Sequence, residues 1–228
     1  MIRKKLFSII KKVIVGLVLV FTLVTPFYSL KAYTVPTYQI KESSIVYKKQ
    51  QVLIYSTHSE EEYKDGYTII EAGEDLAKKL EDKGYEVTHI KENFSKDYNK
   101  AYASSREYLK GLNLEEYSLI IDYHRNSLES ANTANVWNVD SARAMMVYSK
   151  ESINYESCKS WGNAIADNLE DGIYMRDYEY NHGINNFNSD LSSKSLLIEA
   201  GNDKNSEVEV MRLNTHIAIA IDKYFKGE

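Results

Sequence analysis

Three short apolar runs, each breaking into a chemically reactive side chain, constrain this chain more than any other feature. Val52-Leu53-Ile54-Tyr55 runs into Ser56-Thr57-His58, with Glu60, Glu61 and Glu62 directly after. Leu119-Ile120-Ile121 leads through Asp122 and Tyr123 to His124 and Arg125, and Leu196-Leu197-Ile198 ends on Glu199. Apolar runs of this length bounded by polar residues are the pattern of buried strands. In an open α/β sheet, chemistry gathers just beyond the carboxyl ends of such strands. Two histidines and a glutamate there, with a carboxylate near the first, point to one metal-dependent hydrolytic site.

Between the runs the apolar period becomes helical. Over 67–84, Ile69, Ile70, Gly73, Leu76, Ala77 and Leu80 share one face, and Gly84 stops the helix. A strand over 85–90 follows, and a strand–helix–strand unit makes its two strands parallel neighbours. A second helix is expected over 99–112. Residues 127–139, rich in Asn and Ser, read as a long loop. A buried strand at 142–148 and a helix at 155–169 come next, then a short strand or turn at 172–176. Residues 177–193 read as a second long loop, and loops that long in a compact domain are more often functional than idle. An amphipathic helix over 208–225 closes the chain. The alternation predicts an α/β single domain, its sheet mostly parallel and flanked by helices on both faces.

Residues 1–32 stand apart from that domain. Arg3, Lys4, Lys5, Lys11 and Lys12 precede an almost wholly apolar stretch at 13–30. About 18 such residues is the lower limit for spanning a bilayer. The positive cluster orients the remainder outside the cytoplasm. A cleaved signal peptide and an uncleaved membrane anchor both suit the pattern, and the length favours the anchor. Residues 33–48 read as a linker with an edge strand near 44–47, and 49–228 as the catalytic domain. The net charge of −5 excludes a nucleic-acid partner of the usual basic kind. One cysteine, Cys158, excludes an intrachain disulfide and a cysteine-rich zinc centre.

The residues that remain for chemistry suit zinc. A hydrolytic zinc takes three ligands from His, Glu or Asp and leaves one position for water. His58 and His124 supply two. Glu61, three residues past His58, is placed to complete the set, although spacing alone leaves Glu60, Glu62, Asp65 and Glu71 open. Glu199 is the candidate to take the water's proton and pass it to the leaving nitrogen. His89 ends a strand without a partner carboxylate, His182 sits in the long loop, and His216 lies in the last helix.

Five motifs in order resemble the stage II sporulation protein P family of spore-forming Firmicutes. They are Thr57-His58 with Glu61 and Tyr63; Asn99 and Tyr102 with Ser105-Arg106; Asp122-Tyr123-His124-Arg125-Asn126-Ser127; Asn188-Ser189-Asp190-Leu191-Ser192; and Leu196-Leu197-Ile198-Glu199-Ala200-Gly201. Asn126 stands where the family usually carries Asp, and Ser189 where it carries Gln. The resemblance spans about residues 50–225. It implies a fold related to the zinc N-acetylmuramoyl-L-alanine amidases and a Zn2+ on His58, His124 and, by preference, Glu61, with Asp65 and Glu71 as alternatives. It makes Glu199 the catalytic carboxylate. Arg125 and Arg106, suited to forked contacts with carboxylates, are candidates to position site carboxylates or the substrate's acidic groups, with a structural ion pair as the alternative for either, and Asn188 is a further candidate substrate contact. The implied activity is cleavage of peptidoglycan between N-acetylmuramic acid and L-alanine during engulfment, with some members also cutting cross-links. A lytic transglycosylase is the implied partner and the outer face of the membrane the implied location. The competing expectation is a catalytically degenerate module that binds cell wall or a partner.

Overall fold

The computed structural model describes residues 49–181 and 186–228. The expected membrane segment, the linker with its edge strand at 44–47, and His182 lie outside them. Among the described residues, no helix is long and apolar enough to cross a membrane.

The first apolar run is β1 (Gln51–Tyr55), followed by α1 (Ile69–Glu81) and β2 (Glu86–His89). Thr68 and Glu71 begin α1 with a reciprocal capping box, which satisfies amides that the first turn leaves unpaired. Gly84, at φ 99°, turns the chain into β2 as its sequence position predicts. Then come α2 (Ala101–Lys110) and β3 (Leu119–Asn126). The expected loop at 127–139 is instead mostly a hairpin of β4 (Thr133–Val136) and β5 (Val139–Ala142). Its two turn residues, Trp137 and Asn138, both have positive φ, the twist that tight hairpins require. The Asn-rich composition concealed it because no Asn-Gly or Asp-Gly marks the turn.

The chain continues through β6 (Ala144–Ser149), α3 (Tyr155–Ala166) and β7 (Tyr174–Tyr180) to β8 (Ser195–Asn202) and α4 (Glu207–Lys226). The second expected loop, 177–193, is also corrected. Its first four residues belong to β7, and Ser189–Leu191 form a 3-10 turn. β7 alternates polar and aromatic residues because one side faces α3 and the other a cavity, so it never reads as an apolar run.

Six strands make one sheet in the order β2-β1-β3-β8-β6-β7. β2, β1, β3 and β8 are parallel, β6 is antiparallel to β8, and β7 is parallel to β6. The sheet is therefore mostly parallel but mixed. Only the hairpin separates β3 from β6, with no crossover helix, so the chain re-enters the sheet from the end at which it left.

Helices cover both faces, unequally. On one face Val52, Ile54, Leu119, Ile121, Leu196 and Ile198 pack with residues of α1, α3 and α4 such as Leu76, Ile165 and Ile217. On the other, Leu53, Tyr55 and Ile120 lie under Leu109 of α2 with Ile90 and Phe94. Further along that second face, Met145, Val147 and Leu197 form a small cluster to which, among the described residues, no helix contributes. Among the described residues that part of the sheet face has no helical cover, and the candidate site occupies it.

Candidate active site

Successive strand residues alternate between faces. Because Ile121 and Tyr123 pack into the helix-covered core, Asp122 and His124 point to the open face. By the same alternation Glu199 of β8 joins Leu197 there. His124 and Glu199 are paired in register across β3 and β8. Both lie inside strands, which corrects the expectation that they project beyond the strand ends. A two-residue period alone places them together on the sheet's surface.

His58 arrives from the turn after β1. Its ring centroid is 5.4 Å from that of His124, the planes at 76°. Tyr98 stacks on His58 at 4.4 Å, and Tyr102 meets it edge-on at 5.4 Å. Glu61 follows one turn later, its Oε2 3.8 Å from His124 Nδ1. The Arg125 amide donates to that same oxygen at 3.3 Å. His58, Glu61, His124 and Glu199 together line a cavity of about 440 Å³, with Tyr98, Tyr102, Met145, Arg176 and Phe187.

A buried polar chain holds the His58 turn in place. Asp122 accepts from the Thr57 amide at 3.0 Å and from the Thr57 hydroxyl at 2.8 Å. The hydroxyls of Thr57 and Ser105 are 3.2 Å apart, and Asn188 Nδ2 donates to Ser105 Oγ at 2.9 Å. Four stretches distant in sequence are joined by hydrogen bonds that no apolar periodicity announces. Asp122 also lies 2.8 Å from His124 Nε2. That contact is off the N–H axis, and Nε2 makes no aligned hydrogen bond. We therefore read it as a charge contact. A carboxylate on one ring nitrogen orients a histidine whose other nitrogen faces a metal, and here His124 Nδ1 faces Glu61. The sequence motif includes Asp122 without giving it a role; a carboxylate two residues before His124, directly after an apolar run, was the available signal.

The electrostatics are those of a cation site. Burial pushes the His58 imidazole down to about 4, helped by the positive charge on His124. Burial also opposes protonation of His124, but the carboxylates of Asp122, Glu61 and Glu199 prevail and raise it to about 9. Burial raises Glu61. It raises Glu199 to about 7, with His124 working against the rise and Glu61 with it. Three carboxylates here draw a proton onto His124, with the Arg125 charge acting on Glu61 and Glu199 as well.

Among the described residues, no three His, Cys, Asp or Glu side chains stand close enough to chelate an ion as they are. The donor set nevertheless fits zinc. His58 Nδ1 and Glu199 Oε2 are buried without a hydrogen-bond partner. Such atoms typically cost about 1–3 kcal/mol each, and unsatisfied groups of this kind call for an explanation such as an ion or a catalytic role.

Of the other expected residues, Arg106 and Asn188 are engaged elsewhere, while Arg125 lines an adjoining cavity with His58, Glu61 and Glu199. Arg106 forms a forked pair with Asp190, at 2.8 and 2.5 Å. Asn188 is 4% exposed and tied to Ser105. Neither lines the cavity. Arg125 donates through Nε to the Glu62 carbonyl at 2.7 Å and through Nη1 to the Asn126 carbonyl at 3.3 Å. Of the alternative ligands, Glu71 is occupied by the α1 cap, and Asp65 and Glu62 are exposed. Glu60 accepts from Asn93 at 2.9 Å. His89 packs on α1, where a Cβ on Gly73 would come within 2.8 Å of its Nε2, and His216 lies against Trp137.

Comparison with known proteins adds family and fold. The catalytic domain of CwlV, an N-acetylmuramoyl-L-alanine amidase from Bacillus (Paenibacillus) polymyxa var. colistinus, superposes with a TM-score of 0.51 at 13% identity, covering 78% of this chain and 99% of that one. Two further likenesses are the CwlD amidase of Clostridioides difficile, solved with the GerS lipoprotein (TM-score 0.48, 15% identity, 79% and 100% covered), and the amidase AmiC2 of Nostoc punctiforme (0.47, 17%, 79% and 97%). At these identities the first supports a shared fold. No curated protein sequence matches the chain. The model of the family described as stage II sporulation protein P (SpoIIP) matches residues 29–222. The chain belongs to the stage II sporulation protein P family.

Proposed function

We propose that this protein is a zinc-dependent peptidoglycan hydrolase that cuts the amide between N-acetylmuramic acid and L-alanine during sporulation. One observation carries the reading. His58, Glu61, His124 and Glu199, from three separate stretches, line one open cavity in which Glu199 is raised to about 7. His58, His124 and Glu61 would hold the zinc. When bound, it supplies a Lewis acid for the scissile carbonyl and a water of lowered pKa.

The protein's own groups do the rest. A carboxyl with a pKa near the working pH can accept a proton and return it to a leaving nitrogen, and Glu199 is such a group. Asp122 orients His124, and through Thr57 it holds the turn that carries His58. The Arg125 amide keeps Glu61 aimed at His124. Tyr98, Tyr102 and Phe187 give the open cavity an aromatic wall. Residues 1–32 would anchor the domain, 33–48 would link it, and 49–228 would act on the wall outside the cytoplasm, with a lytic transglycosylase degrading the stripped glycan.

The spread of the donors beyond chelating distance favours a second reading, a wall-binding module without hydrolysis. Muropeptide release from cell wall decides between them, measured for the wild type with and without a chelator, and for Glu199→Gln. Loss of a general acid–base group typically lowers rate by about 10²–10⁴, so Glu199→Gln should fall by that much and chelation should abolish release. Wall that is bound but yields no products with zinc present would establish the second reading. Undiminished cleavage after metal removal would overturn the zinc assignment.

A further inference from the structure

We infer that Arg176 is the anchor for a free carboxylate on the peptide side of the substrate, and so a specificity-determining residue; the inference rests on the hydrolase reading above. Five arginines lie among the described residues. Arg106 is paired with Asp190, while Arg125, Arg143 and Arg212 donate to backbone carbonyls. Arg176 makes no hydrogen bond or ion pair among the described residues, and it lines the same cavity as Glu199. The neighbouring anions on β7 are turned away and engaged. Glu179 is held by Lys150 at 2.6 Å and by Lys159 and Tyr155 of α3, and Asp177 accepts from Tyr174. Alternation along the strand then leaves Arg176 and Tyr178 facing the cavity.

The register sets the distance. Glu199 pairs with Met145, and Met145 with Arg176, so His124, Glu199, Met145 and Arg176 form one row across β3, β8, β6 and β7. Two strand spacings of about 4.8 Å separate Glu199 from Arg176, roughly 10 Å between backbones. The floor between them is apolar, made of Met145, Val147 and Leu197. A ligand suited to this row has a scissile amide at Glu199, an apolar stretch over Met145, and an anion at Arg176. An extended peptide advances about 3.3 Å per residue. A carboxylate one residue beyond the leaving amine therefore lies roughly 6–7 Å from the cut, and the arginine arm spans the remainder. Arginine is suited to a forked grip on a carboxylate. The class selected is an acyl-peptide with a free acidic group one residue past the cleaved bond.

The test compares N-acetylmuramoyl-L-alanyl-γ-D-glutamyl-L-lysine with the same compound amidated at the glutamyl α-carboxylate. The wild type should show a kcat/KM roughly tenfold higher for the free acid, about 1.4 kcal/mol. In Arg176→Gln the ratio should fall towards one, and Arg176→Lys should retain part of it. Equal turnover of both compounds by the wild type, or a ratio that survives in Arg176→Gln, overturns the anchor and leaves the hydrolase reading intact. If neither compound is cut, calorimetric binding of the two carries the test. A preference for the free acid that is lost in Arg176→Gln upholds the anchor while the hydrolase reading fails, and equal affinities overturn the anchor.

Discussion

Replacing Asp122 by Asn tests whether a buried carboxylate organises the site. Asp122 is 2% exposed and meets two donors of Thr57 and the His124 ring. An asparagine keeps the shape and can still pair with Thr57, since the hydroxyl can turn to accept. It loses the charge. Hydrogen bonds to a charged group contribute about 1.5–3 kcal/mol against about 1 for neutral pairs, so at the lower part of that range the two Thr57 contacts weaken by about 1–2 kcal/mol together. The His124 contribution is added to that and depends on pH. Its folded pKa of about 9 lies above the ordinary 6.5. The stabilisation is therefore full below pH 6.5 and lost as pH rises through about 9. A rise of that size corresponds to about 3 kcal/mol at 1.36 kcal/mol per unit. Burial opposes it and Glu61 and Glu199 share it, so about half belongs to Asp122. Asp122→Asn should thus cost about 3 kcal/mol at pH 6 and about 1–2 at pH 10. Urea unfolding of both proteins in the presence of a chelator measures this. A difference that is flat with pH, or below about 1 kcal/mol at pH 6, would refute the argument.

Two further outcomes follow from packing. A Cβ on Gly162 would sit 1.8 Å from the Tyr148 hydroxyl and 3.1 Å from Leu196 Cδ1. Overpacking of about 1–3 kcal/mol should outweigh the roughly 0.8–1 kcal/mol helix gain of Gly→Ala. Gly162→Ala should therefore lower Tm, and adding Tyr148→Phe should recover part of the loss; an unchanged Tm would show that α3 can shift away. Burial depresses His89 to about 4, so the folded state resists its protonation, and stability should fall as pH drops from 6.5 towards 4. With His89 only half-buried as a residue, we expect about 1–2 kcal/mol of that acid loss to disappear in His89→Phe. Parallel pH–stability curves for wild type and variant would refute it.

The parts of this protein readable in one dimension are those with a period. β1, β3 and β8 are apolar because both of their faces are buried, and α1 and α4 carry a stripe because only one side packs. Their positions follow from Val52–Tyr55, Leu119–Ile121, Leu196–Ile198 and the helical spacing of Leu76 and Leu80. The β4–β5 hairpin and β7 stayed hidden because their partly exposed residues carry no apolar rhythm. The direction of β6 stayed hidden because pairing direction depends on where the chain re-enters the sheet.

Chemistry divides along the same line. Position after apolar runs nominated His58, His124 and Glu199, and the family resemblance preferred Glu61 among the carboxylates that follow His58. Spacing favoured Glu61 but left Glu71 open, because several carboxylates follow His58. The structure separates them, turning Glu61 towards His124 and Glu71 into a helix cap. Nor could spacing show that Asp122 grips Thr57, that Arg106 is taken by Asp190, or that Arg176 stands in register with Glu199. Local pattern records which side chains seek burial. Which polar groups meet once buried is decided by strand order and register, and these exist only after distant segments have paired.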